Sequence, residues 1–368
     1  MTIPQIDLKR QHEALRDDLM EAVARVLDSC RFILGPEGQA LESELAGLCG
    51  ARHGVGTGSG TDALLLALKA VGVKPGDEVI TSAFSFVASA TTIVMAGATP
   101  VFVDVESDTF NLDPARVERA ITPRTRAIVP VYLYGQVAAM DVLGDLARAR
   151  GLAIVADAAQ AVGASYAGRP VAAWGDATTL SFYPTKNLGA CGDGGMVLTT
   201  RDDVAERVRL LRDHGSSRKY THVELGGCSR LDELQAALLR VKLKRLPEWN
   251  ERRRAVARHY STALAGLPLT LPVERPPARH VYHQYPVRSA KRDALAQALA
   301  GLGVGTSVHY PSTIPAQPLF SRPNADREFS VATQAAAEVL CLPCYPELRD
   351  PEVDQVVDAI KRALAQVM

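Results

Sequence analysis

The sequence predicts an α/β protein with a mostly parallel sheet, followed by a smaller C-terminal αβ segment. Over the first two thirds of the chain, short runs rich in β-branched residues alternate with apolar patterns of helical spacing. Strands that alternate with helices indicate βαβ units, whose helices cover both faces of a parallel sheet. The 368 residues, 47% of them hydrophobic, are enough for two domains with large cores.

The candidate elements of the first part follow one another in order. The predicted strands are Glu78–Thr81, Pro100–Asp104, Ala127–Val131, Ala153–Ala156, Thr178–Phe182 and Gly195–Thr199. The predicted helices are Asp62–Val71, Phe86–Ala96, Ala115–Ala120 and Met140–Arg150. The pair Asp113-Pro114 is typical of an N-cap followed by proline at the first helical position.

The later part of the chain predicts long helices over residues 201–258, with a break near Pro247. A proline-rich connection over residues 267–279 leads to a smaller αβ segment, with a helix near Lys291–Leu302 and a last helix that opens at Asp350-Pro351. We place the boundary near residue 245, which gives domains of residues 1–245 and 246–368.

Charge and composition exclude several classes of protein. The 41 basic and 41 acidic side chains give a net charge of zero, which argues against a nucleic-acid binder. The uncharged stretch Ile80–Val103 contains Gly97 and Pro100, so we expect no membrane span. The six cysteines are scattered and no signal peptide is visible, so we expect a cytoplasmic protein with reduced thiols. A zinc site is not expected either, because the Cys341–Cys344 pair has no second ligand pair at the right spacing.

A glycine-rich turn offers the first candidate site. Glycines at positions 54, 56, 58 and 60 run into Thr61 and an apolar helix. Such a turn directs backbone N–H groups and the positive end of the helix dipole at an anion, and so favours a phosphate. The third glycine of a dinucleotide fingerprint would fall at Thr61, which disfavours a nicotinamide oxidoreductase. A tight turn without a ligand remains an alternative.

Two ionisable residues are the next candidates. Asp157 ends an apolar strand, at the edge where open α/β sheets bind ligands, and Gln160 follows three residues later. Lys186 lies in the apolar, glycine-dense run SFYPTKNLGACGDGGMV, where a lysine can lose its proton and attack a carbonyl. An Asp that only caps a turn and a lysine that is only solvated are the structural alternatives. Together, the phosphate seat, the carboxylate and the lysine fit pyridoxal 5′-phosphate (PLP).

Beyond these three features, the sequence resembles the DegT-like family of nucleotide-sugar aminotransferases. The resemblance covers nearly the whole chain and includes the runs SGTDALLLAL, VPVYLYGQ, SFYPTKNLG, RDHGS, SRLDELQAAL and VHYP. It implies an aspartate-aminotransferase-like large domain and a smaller C-terminal αβ domain. It also implies the contacts to PLP. Lys186 would bind the cofactor covalently, Asp157 would pair with the ring nitrogen, Phe86 would stack on the ring, Gln160 would lie near the ring oxygen, and Ser181, Gly60 and Thr61 would hold the phosphate.

The same resemblance implies a homodimer with its sites at the subunit interface. Arg230, His309 and Tyr310 match positions that reach the sugar nucleotide from the partner chain. There is one departure from the family pattern. Cys228 stands where the family usually has an Asn that reaches the cofactor phosphate of the other subunit, and a thiol is a weak donor.

The implied reaction is transamination in two half-reactions. L-glutamate would leave its amino group on the cofactor as pyridoxamine 5′-phosphate, and an NDP-keto-sugar would then receive it. The run SFYPTKNLG with GDGG resembles the subgroup that acts at C3 of the sugar. Amination at C4 or of a keto-cyclitol is an alternative. A PLP-dependent sugar dehydratase would have His in place of Lys186, and a non-catalytic regulatory homologue would be expected to lack Lys186 or Asp157.

Overall fold

The structure is a computed structural model that describes residues 2–321 and 325–367. Its helices are α1 (Leu8–Ala14), α2 (Arg16–Ser29), α3 (Pro36–Cys49), α4 (Gly60–Ala70), α5 (Ala88–Met95), α6 (Pro114–Ala120), α7 (Met140–Arg150), α8 (Asp202–Leu211), α9 (Glu233–Leu243), α10 (Leu246–Ala263), α11 (Arg292–Gly301), α12 (Ala325–Glu328), α13 (Ser330–Glu338) and α14 (Asp350–Val367). Its strands are β1 (His53–Thr57), β2 (Glu78–Ser82), β3 (Thr99–Val103), β4 (Thr125–Val129), β5 (Ala153–Asp157), β6 (Ser165–Tyr166), β7 (Arg169–Pro170), β8 (Ala177–Ser181), β9 (Gly195–Thr199), β10 (Ser216–Arg218), β11 (Thr221–His222), β12 (Ala278–Arg279), β13 (Tyr285–Arg288) and β14 (Val339–Leu342).

The large sheet of the described residues has seven strands in the order β1-β9-β8-β5-β4-β2-β3. All of its strands run in one direction except β9, which is antiparallel to both β1 and β8. The predicted α/β fold with a mostly parallel sheet is therefore confirmed, and the six predicted strands are displaced by no more than two residues. β1 was not predicted, because its sequence HGVGT consists of glycine and polar residues around a single valine.

Helices cover both faces of this sheet with small apolar side chains. On one face, α4 buries Ala63, Leu64, Ala67 and Leu68 in a cluster that includes residues of α5 and α8. Each fully buried leucine contributes about 1.5–3 kcal/mol. None of the helices within the described ranges combines the length and the apolar character that a membrane crossing requires.

The helix starts follow local rules. The side chain of Asp113 accepts hydrogen bonds from the N–H groups of Ala115 and Arg116, and Pro114 occupies the first turn of α6. The predicted N-cap is thus confirmed. At the start of α4, the Ser59 hydroxyl accepts from the Asp62 N–H at 3.0 Å.

Residues 201–258 do not form the predicted run of long helices. α8 ends at Leu211, and the antiparallel hairpin β10–β11 follows before α9 begins. Gly215 permits the turn between α8 and β10, because its φ of +66° is readily adopted only by glycine. A Cβ at this position would also lie only 1.7 Å from the Glu224 carbonyl oxygen. The predicted break near Pro247 is confirmed, because α9 ends at Leu243 and α10 begins at Leu246. Pro247 lies in the first turn of α10, where no N–H is required.

The C-terminal part of the chain has its own apolar cluster. Tyr260 of α10, Tyr285 of β13 and Ile360 of α14 are fully buried together. Ile3 belongs to the same cluster and pairs with Val304 in an isolated β-bridge. The first residues of the chain therefore pack on its C-terminal part, and the domain boundary near residue 245 stays a prediction.

Candidate active site

The candidate site lies where β5 and β8 end. Asp157 is the last residue of β5 and pairs in register with Thr179 of the neighbouring parallel strand β8. Ser181 is the last residue of β8, and Lys186 follows in the loop after it. Since parallel strands bring their carboxyl ends to one edge, Asp157, Ser181 and Lys186 meet at the edge where such sheets bind ligands.

A cradle of small groups lies beside this edge, at the start of α4. A Cβ on Gly60 would stand 2.6 Å from Cβ and 3.0 Å from Oγ of Ser181, so only glycine fits there. The N–H groups of Gly60 and Thr61 lie in the first helical turn, where they have no intrahelical acceptor. The helix dipole adds a positive potential at the same place. The cradle therefore suits an anion such as a phosphate.

Asp157 is a buried carboxylate held by two donors. Its Oδ2 accepts from the Ser89 hydroxyl at 3.1 Å, and its Oδ1 accepts from the Ala159 N–H at 3.1 Å. Burial raises the pKa of Asp157, while the Ala159 N–H, the Lys186 charge and Ser89 act in the opposite direction. Among residues 2–321 and 325–367, no cationic side chain forms an ion pair with it. A protonated nitrogen placed beside Asp157 would supply the missing counter-charge.

Lys186 presents a free amine to the same edge. Burial lowers its pKa to about 8, and the negative charge of Asp157 partly offsets this effect. Its Nζ forms neither a hydrogen bond nor an ion pair within the described part of the chain, whereas its backbone N–H is held by the Tyr183 carbonyl at 2.8 Å. An amine with this pKa is partly deprotonated near neutral pH and can act as a nucleophile or a base.

Gln160 and two aromatic rings line the space next to Asp157. The side-chain amide oxygen Oε1 of Gln160 accepts from the Tyr134 N–H at 2.6 Å, and its Nε2 donates to the Tyr310 hydroxyl at 3.2 Å. The rings of Tyr310 and Phe86 lie 6.1 Å apart between centroids. Phe86 is 55% exposed, so one wall of the site is an aromatic side chain that faces solvent.

His309 and Tyr310 contact residues of the site in their own chain. The Tyr310 hydroxyl contacts Gln160 of its own chain. Burial is the main cause that lowers the pKa of His309, and the positive charge of Lys186 is the second. Both residues thus lie beside the site of the chain that carries them. The segment before Tyr310 lies against Tyr134, whose hydroxyl donates to the His309 carbonyl. The expectation that His309 and Tyr310 also reach the sugar nucleotide of a partner stays a prediction.

Arg230 and Cys228 lie outside this group. The Arg230 guanidinium donates to Asp213 at 2.8 Å and to the Cys228 sulfur at 3.0 Å. Between them, the Ser229 hydroxyl accepts from the Gly58 N–H at 3.3 Å, so the segment runs beside the glycine turn. The predicted roles of Arg230 and Cys228 in a partner's site stay predictions.

Two features of the site, the Ser89 contact and a network around Asn187, were not predicted from the sequence. Ser89, backed by the Ser85 hydroxyl at 3.0 Å, binds Asp157 across 68 positions of sequence because α5 crosses the end of β5. The second is a buried hydrogen-bond network around Asn187, the residue after Lys186. The run VYHQYPVR, which contains His283 of that network, was visible in the sequence but had no role assigned to it.

Comparisons with known proteins agree with this arrangement. A sequence profile of the DegT/DnrJ/EryC1/StrS aminotransferase family matches residues 13–361. The dTDP-3-amino-3,4,6-trideoxy-alpha-D-glucose transaminase of Streptomyces venezuelae is 48% identical over 362 residues, which cover 98% of this chain and 95% of that protein. A pleiotropic regulatory protein of Geobacillus stearothermophilus is 47% identical and covers 98% of both chains.

Solved structures match over similar lengths. The crystal structure of Streptomyces venezuelae DesV in complex with a ketimine intermediate has a TM-score of 0.97 at 46% identity and covers 100% of both chains. The structure of ntda from Bacillus subtilis with bound cofactor PMP has a TM-score of 0.93 at 32% identity and covers 99% of this chain and 86% of that one.

Proposed function

Since this chain belongs to the DegT/DnrJ/EryC1/StrS aminotransferase family, we propose that it transfers an amino group from L-glutamate to the C3 keto group of an NDP-keto-hexose, with PLP as its cofactor. The observation that carries the proposal is the meeting of Lys186, Asp157 and the Gly60–Ser181 cradle at one edge of the sheet. The C3 position is supported by the Streptomyces venezuelae relative, which is a 3-amino-sugar transaminase.

The residues present fit PLP group by group. The cradle at Gly60 is a space that a single Cβ would fill, and it offers amide and hydroxyl donors for a phosphate. Lys186 is a free, partly deprotonated amine for the aldehyde. Asp157 is a buried carboxylate that has no cation of its own within the described residues, which suits a protonated ring nitrogen. When bound, PLP supplies an aldehyde that exchanges amines and a ring that accepts electrons from the substrate carbon.

In this proposal Lys186 moves the proton. Its Nζ would accept the proton from the substrate Cα as general base and deliver it to the cofactor carbon on the other side of the amino nitrogen as general acid. A pKa of about 8 suits both directions, because the amine is then neither fully protonated nor too weak a base near neutral pH. Burial is the cause of that pKa, so access of water to Lys186 would raise the pKa and leave less of the amine unprotonated near neutral pH.

Asp157 holds a proton on the ring nitrogen. Ser89 and the Ala159 N–H fix the two carboxylate oxygens, so the side chain has one orientation. Its charge, otherwise disfavoured by burial, is stabilised once a cationic nitrogen lies next to it. Gln160 keeps one N–H free for the ring oxygen, since its other groups bind Tyr134 and Tyr310. Phe86 would cover the open face of the ring.

We also propose a homodimer with its sites at the interface. The hairpin β10–β11 and its flank expose Tyr220 (85%), Val223 (62%) and Leu225 (86%), a cluster of apolar side chains that water disfavours. Arg230 and Cys228 lie near this flank, where the Arg230 guanidinium donates to Asp213 and to the Cys228 sulfur, and we propose that both residues serve the partner's site. The apolar hairpin supports an interface; the partner contacts themselves are the content of the proposal.

A regulatory role without catalysis is the second candidate, because one relative is a regulatory protein. The presence of both Lys186 and Asp157 favours catalysis over it. The deciding experiment incubates the protein with PLP, L-glutamate and either an NDP-3-keto-hexose or an NDP-4-keto-hexose, and identifies products by mass spectrometry. An aminated 3-keto substrate, absent with Lys186→Ala, is expected. Amination of only the 4-keto substrate would overturn the C3 assignment, and no product from any keto-sugar would favour the regulatory role.

A further inference from the structure

A buried network of amides and an imidazole holds the residue next to Lys186. The Asn187 Nδ2 donates to the Asn250 Oδ1 at 2.8 Å and to the Val281 carbonyl at 3.2 Å. The Asn187 Oδ1 lies 3.1 Å from Nδ1 of His283. Asn187 is 3% exposed, and Asn250 and His283 are 6% exposed, so water does not compete for these groups. Every donor and acceptor of the Asn187 amide thus has a protein partner.

The network also fixes which nitrogen of His283 carries the proton. Because the Asn187 Nδ2 donates both of its hydrogens, the group that faces His283 is the carbonyl oxygen, and Nδ1 must be the donor. A second proton on the ring is disfavoured. Burial, and then the charges of Lys186 and Arg253 and the nearby His309 and His280, place the pKa of His283 well below its usual value. The imidazole is therefore neutral.

The loop that carries Lys186 is short and held at both ends. The Ala190 N–H donates to the Phe182 carbonyl at 2.7 Å, and a Cβ on Gly189 would stand 2.2 Å from the Pro184 carbonyl oxygen. Between these contacts, the Asn187 side chain is the anchor that reaches across to α10 and to residues 281–283. A movement of Asn187 would be passed directly to Lys186, its neighbour in the chain.

We propose that His283 is a positioning residue, which through its hydrogen bond to Asn187 fixes the place of Lys186 at the edge of the sheet. The inference rests on the proposed function, since it assigns a purpose to the amine of Lys186. Without the His283 donor, the Asn187 oxygen is buried without a partner, so the side chain turns and the loop opens to water. In such a variant, solvent joins Asp157 and His309 as the groups that influence the pKa of Lys186.

The test measures covalent capture of PLP by the cofactor-free protein as a function of pH. PLP is added, borohydride reduces the adduct, and mass spectrometry follows the initial rate at Lys186. In the wild type the rate should rise with a midpoint near pH 8, the value that burial gives the amine. His283→Leu should move the midpoint up by at least one pH unit towards the ordinary lysine value of 10.5, and slow capture at pH 7 at least tenfold.

Two further variants separate positioning from simple stability. His283→Asn keeps an N–H close to the place of Nδ1 and should restore the wild-type midpoint. The matched control is His259→Leu, at a half-exposed histidine of α10 that pairs with Asp354 and takes no part in the Asn187 network, and should leave the midpoint unchanged. If His283→Leu does not fold, Asn250→Ser, which shortens the side chain and draws its acceptor oxygen back from the Asn187 Nδ2, should shift the midpoint in the same direction.

The outcomes that overturn the inference are distinct from failure of the proposed function. A folded His283→Leu or Asn250→Ser protein with the wild-type midpoint would show that the network is only structural. An equal shift in His283→Asn would show that the hydrogen bond to Asn187 is not the cause. If wild-type protein captures no more PLP than Lys186→Ala at any pH, the proposed function itself is wrong.

Discussion

The Gly60→Ala substitution tests the phosphate cradle directly. The φ of Gly60 lies outside the left-handed region, so only space decides its effect. The added Cβ would stand 2.6 Å from the Ser181 Cβ, whereas carbon atoms in contact prefer about 3.5–4 Å. Ser181 and the new methyl group would have to separate by about 1 Å. That distance takes the Ser181 hydroxyl out of hydrogen-bond range of a phosphate seated on the first turn of α4.

The magnitude follows from the bond that is lost. A hydrogen bond to a charged oxygen is worth about 1.5–3 kcal/mol, and each 1.4 kcal/mol is a factor of ten, so PLP should bind roughly 10- to 150-fold more weakly. Titration of cofactor-free protein with PLP, followed by absorbance, measures the dissociation constant. Pyridoxal, which lacks the phosphate, should bind the variant and the wild type equally.

Gly47→Ala is the matched control, because a Cβ at this glycine of α3 meets no atom within 4 Å. It should bind PLP as the wild type does. Unchanged PLP affinity in a folded Gly60→Ala protein would refute the cradle, and an equal loss for pyridoxal and PLP would show that the site is distorted rather than deprived of a phosphate contact.

Four further predictions concern individual side chains. Lys186→Ala should abolish turnover and the visible absorbance of lysine-bound PLP; sugar amination at the native rate would contradict its role. Asp157→Asn should slow the glutamate half-reaction at least 100-fold, about 2.7 kcal/mol, with a small loss of PLP affinity, and unchanged stopped-flow kinetics would exclude this function. Cys228→Asn should tighten PLP binding about tenfold by adding a donor, whereas equal or weaker affinity would argue against a phosphate contact. Arg10 and Arg349 hold the pKa of Glu352 well below its ordinary value. Its stabilisation is therefore complete above about pH 4.5, decreases as pH falls below that value, and is lost only when pH passes the lowered folded-state pKa. Glu352→Gln should cost roughly 1.5–3 kcal/mol in thermal denaturation at pH 7 and less at pH 3, and an equal loss at both values would contradict the pairing.

Local sequence patterns were sufficient to predict most strands of the large sheet. The strand that ends at Asp157 is a continuous apolar run, which is typical of a strand buried on both faces. Asp113-Pro114 predicted the start of α6 for a reason that depends on neighbouring residues alone. The reversed direction of β9 has no such signal, because Gly195–Thr199 would be equally apolar in either direction.

Site residues whose role depends on contacts between distant segments could not be predicted from the sequence. The positions of Lys186 and Asp157 were predicted because each stands out in its own segment as an ionisable group among apolar residues. Ser89 does not stand out, since serine is common at such places and its bond to Asp157 depends on how α5 crosses the sheet. Tyr310 was assigned to the partner's site by resemblance, and only the fold of the chain brings its hydroxyl to Gln160.

The β-bridge between Ile3 and Val304 has a consequence for the order in which the chain folds during synthesis. Roughly 300 residues separate the two, and at 5–20 residues per second a ribosome needs about 15–60 s to synthesise them. During that interval Ile3, which is 3% exposed in the finished protein, has no strand beside it and no cluster to enter. The large sheet can assemble while synthesis continues, because its strands lie between residues 53 and 199. The C-terminal cluster has to wait, so its packing around Ile3 is a late event that follows synthesis of the residues up to Leu364.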